Sequence, residues 1–439
     1  MTQTVIPAEE VERLVLLLIV SLVIALVARQ LRFPYTLALV IAGLALGQIP
    51  SVQQLKLNPE VVLFIFIPAL LFEGSWNIRV SVLLKNWVAV LLLAVPGLLI
   101  AMAIVAGTLH FGAHLSWLEA LLLGAIISPT DPVAVIALFR KLGVGERMRT
   151  IIEGESLFND GVGAAVYAVV LGLLLVQTGI STTEISGWTA VLQVAWLFIG
   201  GPVIGFAAGF IISWLMRHFD DYLIEMTITF STAYGVYLLG TFLNTSGLLA
   251  VVSAGLTLGS YGRQRSMSQR TRDVVDEVWE FIGYIANSLL FLLLGIQIGA
   301  SHIGPAVAPL IWAIIGVIAG RAVMIYLMFA LHDAIARWYA GYRRHEHKSL
   351  RSKLVPVPRN WRPIILLSGL RGALSLALVL SLPQSLPDTD LMKYVTYGVV
   401  LVTLVGQGIA MRVILPPWSR KHAPLESAEA TAEPAAPHG

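Results

Sequence analysis

Long apolar segments alternate with short polar segments along the chain. Residues 86–118, 161–183 and 185–216 contain no Asp, Glu, Lys or Arg, and neither do residues 226–262 and 281–320. A helix that crosses about 30 Å of hydrocarbon needs about 20 mostly apolar residues, so each of the last two segments can hold two helices. The pattern predicts about thirteen membrane-spanning helices, centred near residues 20, 41, 66, 97, 127, 167, 201, 232, 253, 289, 318, 372 and 402. Twelve is the alternative, because the second and ninth are short.

The predicted fold class is an all-α, polytopic membrane protein. The apolar segments are too continuous for barrel strands, which alternate lipid-facing and lumen-facing residues. The composition agrees, because 57% of the 439 residues are hydrophobic, 13% are charged and the mean hydropathy is +0.81. A soluble fold could not bury so much apolar surface, which excludes a secreted, nucleic-acid-binding or ordinary cytosolic protein. Since the chain has no cysteine, disulfides and cysteine nucleophiles are excluded as well.

The basic residues predict the orientation in the membrane. If the loops alternate from an outside N-terminus, Arg13, Lys56 and Lys393 lie outside, and nearly all other Lys and Arg lie in cytoplasmic loops. The positive-inside rule therefore predicts a protein of the cytoplasmic membrane with its N-terminus outside and its C-terminus in the cytoplasm. The basic loop at residues 340–362 could also contact anionic membrane lipids, although the orientation bias alone explains its charge.

The two ends of the chain are predicted to carry no further domain. Residues 1–415 are predicted to form one membrane domain. The first apolar segment has no basic leader and no small-residue cleavage site, so we expect it to be a retained span. Residues 416–439 are rich in Ala, Pro and Glu, which predicts a short disordered cytoplasmic tail.

Ionisable side chains within the spans are candidate functional residues, because a charge in the hydrocarbon region is costly. The predicted spans contain four acidic residues and two arginines, namely Glu73, Asp131, Glu155, Asp160, Arg321 and Arg371. If both arginines pair with carboxylates, acidic groups remain for other roles.

Two spans are predicted to be interrupted helices. In S-P-T-D-P (residues 128–132) two prolines remove backbone donors on either side of Asp131, and in S-G-L-R-G (residues 368–372) glycines flank Arg371. Interrupted helices in the two halves of a chain are typical of inverted-repeat transporters, in which free carbonyls and helix ends hold cations. We expect the interruptions to cross and Arg371 to form a structural pair with Asp131.

The sixth predicted span presents oxygen atoms on two adjacent stripes. Ser156 and Asp160 lie four residues apart and share one helical face, whereas Glu155 and Asn159 share the next. In the alternative interpretation residues 155–160 lie at the loop end of the span, where Asn and Asp would cap the helix.

A hard cation needs several oxygen ligands at once. The first stripe can supply some of them, and Glu73 and the Thr130 carbonyl can supply others. Glu155 is then left to form a salt bridge with Arg321 that joins the sixth and eleventh spans. The candidate ion ligands are therefore Asp160, Glu73, Ser156 and Thr130.

Five motifs resemble, in the same order, those of the monovalent cation:proton antiporter-1 family, in particular its NhaP-type bacterial and archaeal sodium/proton antiporters. They are P-A-L-L-F-E-G ending at Gly74, S-P-T-D-P-V-A-V, E-G-E-S-L-F-N-D-G, the G-R of the eleventh span and G-L-R-G-A. The resemblance implies a homodimer of thirteen-helix protomers. Each protomer would contain two inverted repeats, residues 11–177 and 221–415, joined by a linking helix at residues 185–216. A core bundle with the broken fifth and twelfth helices would move against a dimerisation bundle.

The resemblance also implies a role for each candidate residue. Asp160 would bind the ion with Glu73, Ser156 and the Thr130 carbonyl, while Asp131 and Asn159 would be structural partners, Arg371 would pair with Asp131, and Arg321 would pair with Glu155. The Asn before Asp160 matches electroneutral members of the family, which implies that one Na⁺ is exchanged for one H⁺.

The sequence thus predicts a transporter, and no enzyme, that exchanges Na⁺ or Li⁺ for H⁺, serves pH homeostasis and needs no cofactor. Cation and proton would compete for one buried carboxylate. A K⁺/H⁺ antiporter stays an alternative, because ligand type does not separate the two cations. A passive cation channel explains the interrupted helices less well. An intramembrane aspartyl protease would need Tyr-Asp and Gly-x-Gly-Asp motifs, which the sequence lacks.

Overall fold

The described part of the protein consists of helices and their connections. The computed structural model describes residues 8–31, 34–53, 59–180, 187–219, 221–300, 306–342 and 356–431. The first nine helices are α1 (Ala8–Gln30), α2 (Tyr35–Leu46), α3 (Val62–Asn77), α4 (Val80–Lys85), α5 (Trp87–Ala113), α6 (Trp117–Ile127), α7 (Val133–Lys141), α8 (Glu146–Gln177) and α9 (Gly187–Met216). The others are α10 (Tyr222–Phe242), α11 (Gly247–Thr257), α12 (Gln269–Gly299), α13 (Val307–Tyr342), α14 (Arg362–Leu367), α15 (Ala373–Leu380), α16 (Thr389–Val402) and α17 (Gly408–Thr431).

Shorter helical turns complete the described chain. They are Pro50–Gln53, Pro59–Val61, Arg263–Arg265 and the 3₁₀ turn Arg359–Trp361, with π-helical turns at Val62–Phe66, Leu93–Gly97, Leu258–Gly262 and Thr403–Gln407. The π turns lie inside or directly after longer helices.

Several helices are suited to a membrane. Over the described ranges, six are long and apolar enough to cross one: Trp87–Ala113, Glu146–Gln177, Leu192–Met216, Gln269–Gly299, Val307–Trp338 and Thr389–Ser419. Helices α2, α3 and α6 are shorter and apolar. The all-α membrane fold class is confirmed, and every predicted centre lies in a helix or in one of two interruptions. The total of about thirteen spans stays a prediction.

Both interruptions lie where the sequence predicts them. Helix α6 ends at Ile127 and α7 begins at Val133, whereas α14 ends at Leu367 and α15 begins at Ala373. The two segments are in contact, because the backbone N–H of Asp131 donates a hydrogen bond of 2.8 Å to the carbonyl of Leu370.

Helix α8 is continuous through the candidate residues. It begins at Glu146, so residues 155–160 lie about two and a half to four turns inside it. The alternative interpretation, in which Asn159 and Asp160 cap a helix start, is therefore wrong.

The last helix crosses the predicted boundary of the membrane domain. Helix α17 continues past residues 415–416 as far as Thr431. The short disordered cytoplasmic tail at residues 416–439 stays a prediction. Residues 432–439 and residues 343–355 of the basic loop lie outside the described residues.

Helices α2 and α12 approach each other with their backbones in contact. A Cβ atom on Gly295 would lie 2.3 Å from the carbonyl oxygen of Val40, and one on Gly43 would lie 2.4 Å from that of Leu292. Glycine allows this approach because it has no side chain. The contact fixes the position of α12, which forms one wall of the candidate site.

We therefore expect Gly295→Ala to destabilise the protein by about 1–3 kcal/mol, because the added methyl group overlaps the α2 backbone. The measurement is thermal unfolding in detergent. Gly235→Ala on α10 is the matched control, since a Cβ atom there meets no neighbour within 4 Å. An equal effect of the two substitutions would contradict the close α2–α12 contact.

Candidate functional site

A cavity of about 330 Å³ lies beside the first interruption. Its walls come from the segment after α6, from the start of α2 and from α3, α7, α8, α12 and α15. The polar and ionisable lining residues include Tyr35, Glu73, Asn77, Thr130, Asp131, Arg140, Glu153, Ser156, Asp160, Glu280, Tyr284, Asn287 and Ser375. The four candidate ion ligands therefore all line the same cavity.

Thr130 is held by two side chains of α8. The hydroxyl of Ser156 donates a hydrogen bond to the Thr130 carbonyl. Asn159 accepts from the backbone N–H of Thr130 at 3.3 Å and donates through Nδ2 to its hydroxyl at 2.9 Å. These bonds replace the helical ones that the interruption removes, as the absence of water in a bilayer core requires.

Asp131 is tied to the backbone on both sides of the crossing point. Its Oδ1 accepts a hydrogen bond of 3.0 Å from the N–H of Val133, at the start of α7. Its other carboxylate oxygen faces Gly372, where a Cβ atom would lie 2.1 Å away. A residue with a side chain at position 372 would therefore displace Asp131.

Arg371 has other partners than the predicted one. Its Nε donates to the carbonyl of Ile127 at 2.9 Å, and its Nη1 donates to the carbonyl of Gly369. No ion pair between Arg371 and Asp131 occurs among the residues that the structure describes, so the predicted pairing is corrected. The physical reason is that Ile127 lies at the carboxyl end of α6, whose partial negative charge attracts a cation.

Glu155 and Arg321 form the predicted salt bridge. Arg321 Nη2 donates to Glu155 Oε2 at 3.0 Å, and its Nη1 donates to Oε1. Both side chains are buried, with exposed fractions of 1% for Glu155 and 3% for Arg321. Arg321 also donates to the carbonyl of Ile365 at 3.1 Å, so the pair joins α8, α13 and α14.

The remaining carboxylates differ in what they contact. Glu73, near the end of α3, accepts a hydrogen bond of 2.9 Å from Asn77 Nδ2. Asp160 lies one turn beyond Ser156 on the cavity face of α8. Within the described ranges, no hydrogen bond or ion pair occupies the Asp160 carboxylate. Its oxygens are therefore available to a proton or a cation.

Sequence reasoning missed the neutral lining residues Asn287 and Ser375. Neutral side chains were considered only in the first interruption and in the sixth predicted span, and both residues lie elsewhere. The available signal was positional, because Ser375 follows Gly372 by three residues and Asn287 follows Gly283 by four, so each shares a helical face with a residue of the cavity wall. Among the described residues, no three His, Cys, Asp or Glu side chains cluster closely enough to hold a metal ion.

Comparisons with known proteins identify the family. Residues 15–416 match the family described as sodium/hydrogen exchanger, transmembrane. The chain belongs to this family. It is 38% identical over 411 residues to the Na⁺/H⁺ antiporter ApNhaP of Aphanothece halophytica, covering 93% of this chain and 74% of that relative. It is also 36% identical over 361 residues to the Na⁺/H⁺ antiporter NhaP of Pseudomonas aeruginosa, covering 80% of each.

A solved structure shares the fold of this exchanger. The sodium proton antiporter MjNhaP1 from Methanocaldococcus jannaschii at pH 8 superposes with a TM-score of 0.72 at 20% identity, covering 94% of this chain and 98% of that one. The resemblance to NhaP-type antiporters is thereby confirmed. The family consists of membrane transporters, in agreement with the predicted class.

Glu155→Gln is expected to destabilise this exchanger by about 3–5 kcal/mol, because it leaves the buried Arg321 guanidinium without its counter-charge. Thermal unfolding in detergent measures the effect. Asp390→Asn is the control. Asp390 pairs with Lys393 and its own side chain is 78% exposed. This substitution should therefore change the stability by less than about 1 kcal/mol. Equal losses of stability in the two variants would show that the buried ion pair contributes no more to stability than the exposed one.

Proposed function

We propose that this exchanger moves Na⁺ or Li⁺ in one direction and H⁺ in the other by binding each in turn at Asp160. The observation that carries the proposal is the state of this carboxylate, which faces the cavity without a partner among the described residues. By contrast, Glu155 is paired with Arg321 and Asp131 is bonded to backbone N–H groups. The names of the similar antiporters support Na⁺ and H⁺ as the transported ions.

Competition follows from the chemistry of a buried carboxylate. An ionised carboxylate away from bulk water is costly unless a charge or hydrogen bonds compensate it. A proton and a cation both provide that compensation, and each occupies the oxygens that the other needs. Ser156 and the Thr130 carbonyl keep a lone pair free after their mutual hydrogen bond, so both can join Asp160 and Glu73 as cation ligands.

Coupling of cation transport to proton transport follows if the segment that carries Asp160 moves only when the Asp160 carboxylate is neutralised. Because the structural charges of Glu155 and Arg321 already compensate each other, one H⁺ or one Na⁺ suffices. We therefore propose an electroneutral exchange of one ion for one ion by alternating access. This exchange would let a cell regulate its internal pH and Na⁺.

The proposed setting is a homodimer in the cytoplasmic membrane, with the N-terminus outside and the C-terminus in the cytoplasm. The exposed apolar side chains along α1 and α9, such as Ile19, Leu22, Ile199 and Phe206, fit contact with lipid or with a second subunit. The division into inverted repeats at residues 11–177 and 221–415, with a linking helix at residues 185–216, stays part of the proposal.

Asp160→Asn should abolish exchange, because the amide binds neither the proton nor the cation as a carboxylate does. The measurement is dissipation of a pH gradient in proteoliposomes on addition of Na⁺, Li⁺ or K⁺. Asp273→Asn, at an exposed carboxylate of α12, is the matched control and should retain full activity. Na⁺-driven proton flux in Asp160→Asn would refute the assignment, and a response of the unmutated protein to K⁺ alone would favour the K⁺/H⁺ alternative.

Electroneutral exchange should be insensitive to membrane potential. One uncompensated charge per cycle would add about 2.3 kcal/mol of driving force for each 100 mV. We expect the initial Na⁺-driven proton flux in proteoliposomes to change by less than about 20% when a K⁺ diffusion potential of either sign is imposed. A flux that rises with one sign and falls with the other would rule out the one-for-one stoichiometry. A current far above carrier turnover would indicate a channel.

A further inference from the structure

Two buried neutral side chains in the cavity wall have oxygen atoms without a partner. Asn287 is 5% exposed and Ser375 is 1% exposed. Among the described residues, nothing forms a hydrogen bond with Asn287 Oδ1 or Ser375 Oγ. A buried polar atom left without a partner is costly, because it has lost its hydrogen bonds to water and gained none from the protein. Two such atoms on one cavity indicate a ligand that meets them there.

The position of Asn287 follows from its neighbours on α12. A Cβ atom on Gly283 would lie 3.4 Å from Glu73 Oε2, so this turn of α12 packs directly against the Glu73 carboxylate. Asn287 lies four residues further along, on the same face and one turn away. Both residues line the cavity that also contains Asp160.

Ser375 approaches the cavity from a different helix. It lies three residues after Gly372, which contacts the Asp131 carboxylate, and thus in the first turn of α15. The unpartnered oxygens of Asn287 and Ser375 therefore belong to two walls other than the α8 wall that presents Ser156 and Asp160.

The chemistry of these oxygens fits a small hard cation. Amide and hydroxyl oxygens are neutral ligands of the kind that hard ions accept beside carboxylates. The four candidate ligands already named leave room for more oxygens around a cation that has lost its water. Neutral ligands would complete the shell without adding a charge that a proton would also have to compensate.

We propose that Asn287 and Ser375 contact the transported cation and complete its ligand shell. This inference rests on the proposed function, in which Na⁺ or Li⁺ enters the cavity and binds at Asp160. Asn287 and Ser375 raise the affinity for the cation, whereas Asp160 provides the charge that couples it to the proton.

The test compares Asn287→Leu and Ser375→Ala in proteoliposomes that report Na⁺-driven proton flux. Each variant should raise the apparent KM for Na⁺ about 3- to 10-fold, the effect of losing one neutral polar contact, and leave the maximal rate within about twofold. Ser375→Thr, which keeps the hydroxyl, should restore most of the affinity. Since Ser375→Ala removes a single oxygen, its result decides the question if Asn287→Leu does not fold.

Ser288→Ala is the matched control. Ser288 follows Asn287 on α12, is equally buried and has an unpartnered hydroxyl, but it does not line the cavity. It should leave the KM for Na⁺ unchanged. An unchanged KM in Ser375→Ala, or a loss of maximal rate alone, would overturn this inference while leaving the role of Asp160 intact. Absence of Na⁺-driven flux from the unmutated protein would instead overturn the proposed function and this inference together.

Discussion

The backbone of the segment between α6 and α7 must have all its hydrogen bonds satisfied by protein, and the rest of the site depends on this constraint. A bilayer core offers no water to free N–H and C=O groups. Asn159 accepts from the N–H of Thr130, Leu370 accepts from that of Asp131, and Arg371 donates to the carbonyl of Ile127. The partners come from α8 and from the second interruption. Each interruption is therefore stable only beside the other, and the cavity lies where they meet.

The same contacts explain why Asp160, and not Glu155, is left for the proposed chemistry. Helix α8 presents Glu155 and Asn159 to the protein interior, where the first pairs with Arg321 and the second holds Thr130. The helical repeat turns Ser156 and Asp160 to the neighbouring face, which lines the cavity. Structural groups and the proposed ion-binding groups can therefore alternate along six residues of one helix without competing for the same partners.

The sequence predicts most of this arrangement because its signals are strong and local. Prolines at positions 129 and 132 require an interruption, and a buried acid is a favourable partner for a buried arginine, so the breaks and the Glu155–Arg321 pair could be predicted. The partner of Arg371 could not be predicted, since the choice between a carboxylate and a helix end depends on distances of a few ångströms. The neutral cavity residues could not be predicted for another reason. In the sequence, a single Asn or Ser in an apolar helix cannot be distinguished from an ordinary buried polar residue.

The origin of the ligands also bears on how the site could open to either side. Thr130 and Ser156 are bonded to each other, and through Asp131 and Leu370 to the second interruption, so they form one connected unit with α8. Glu73 lies on α3 and Asn287 lies on α12, and these two helices pack against each other. Helix α3 also packs against α11, and α12 also packs against α2. A displacement between these two sets of helices would leave the Ser156–Thr130 contact unchanged and would alter the contacts of Glu73 and Asn287. Under the proposed function, a site assembled across such a boundary would couple cation release to movement, because Asp160 would stay on one unit while Glu73 and Asn287 stayed on the other.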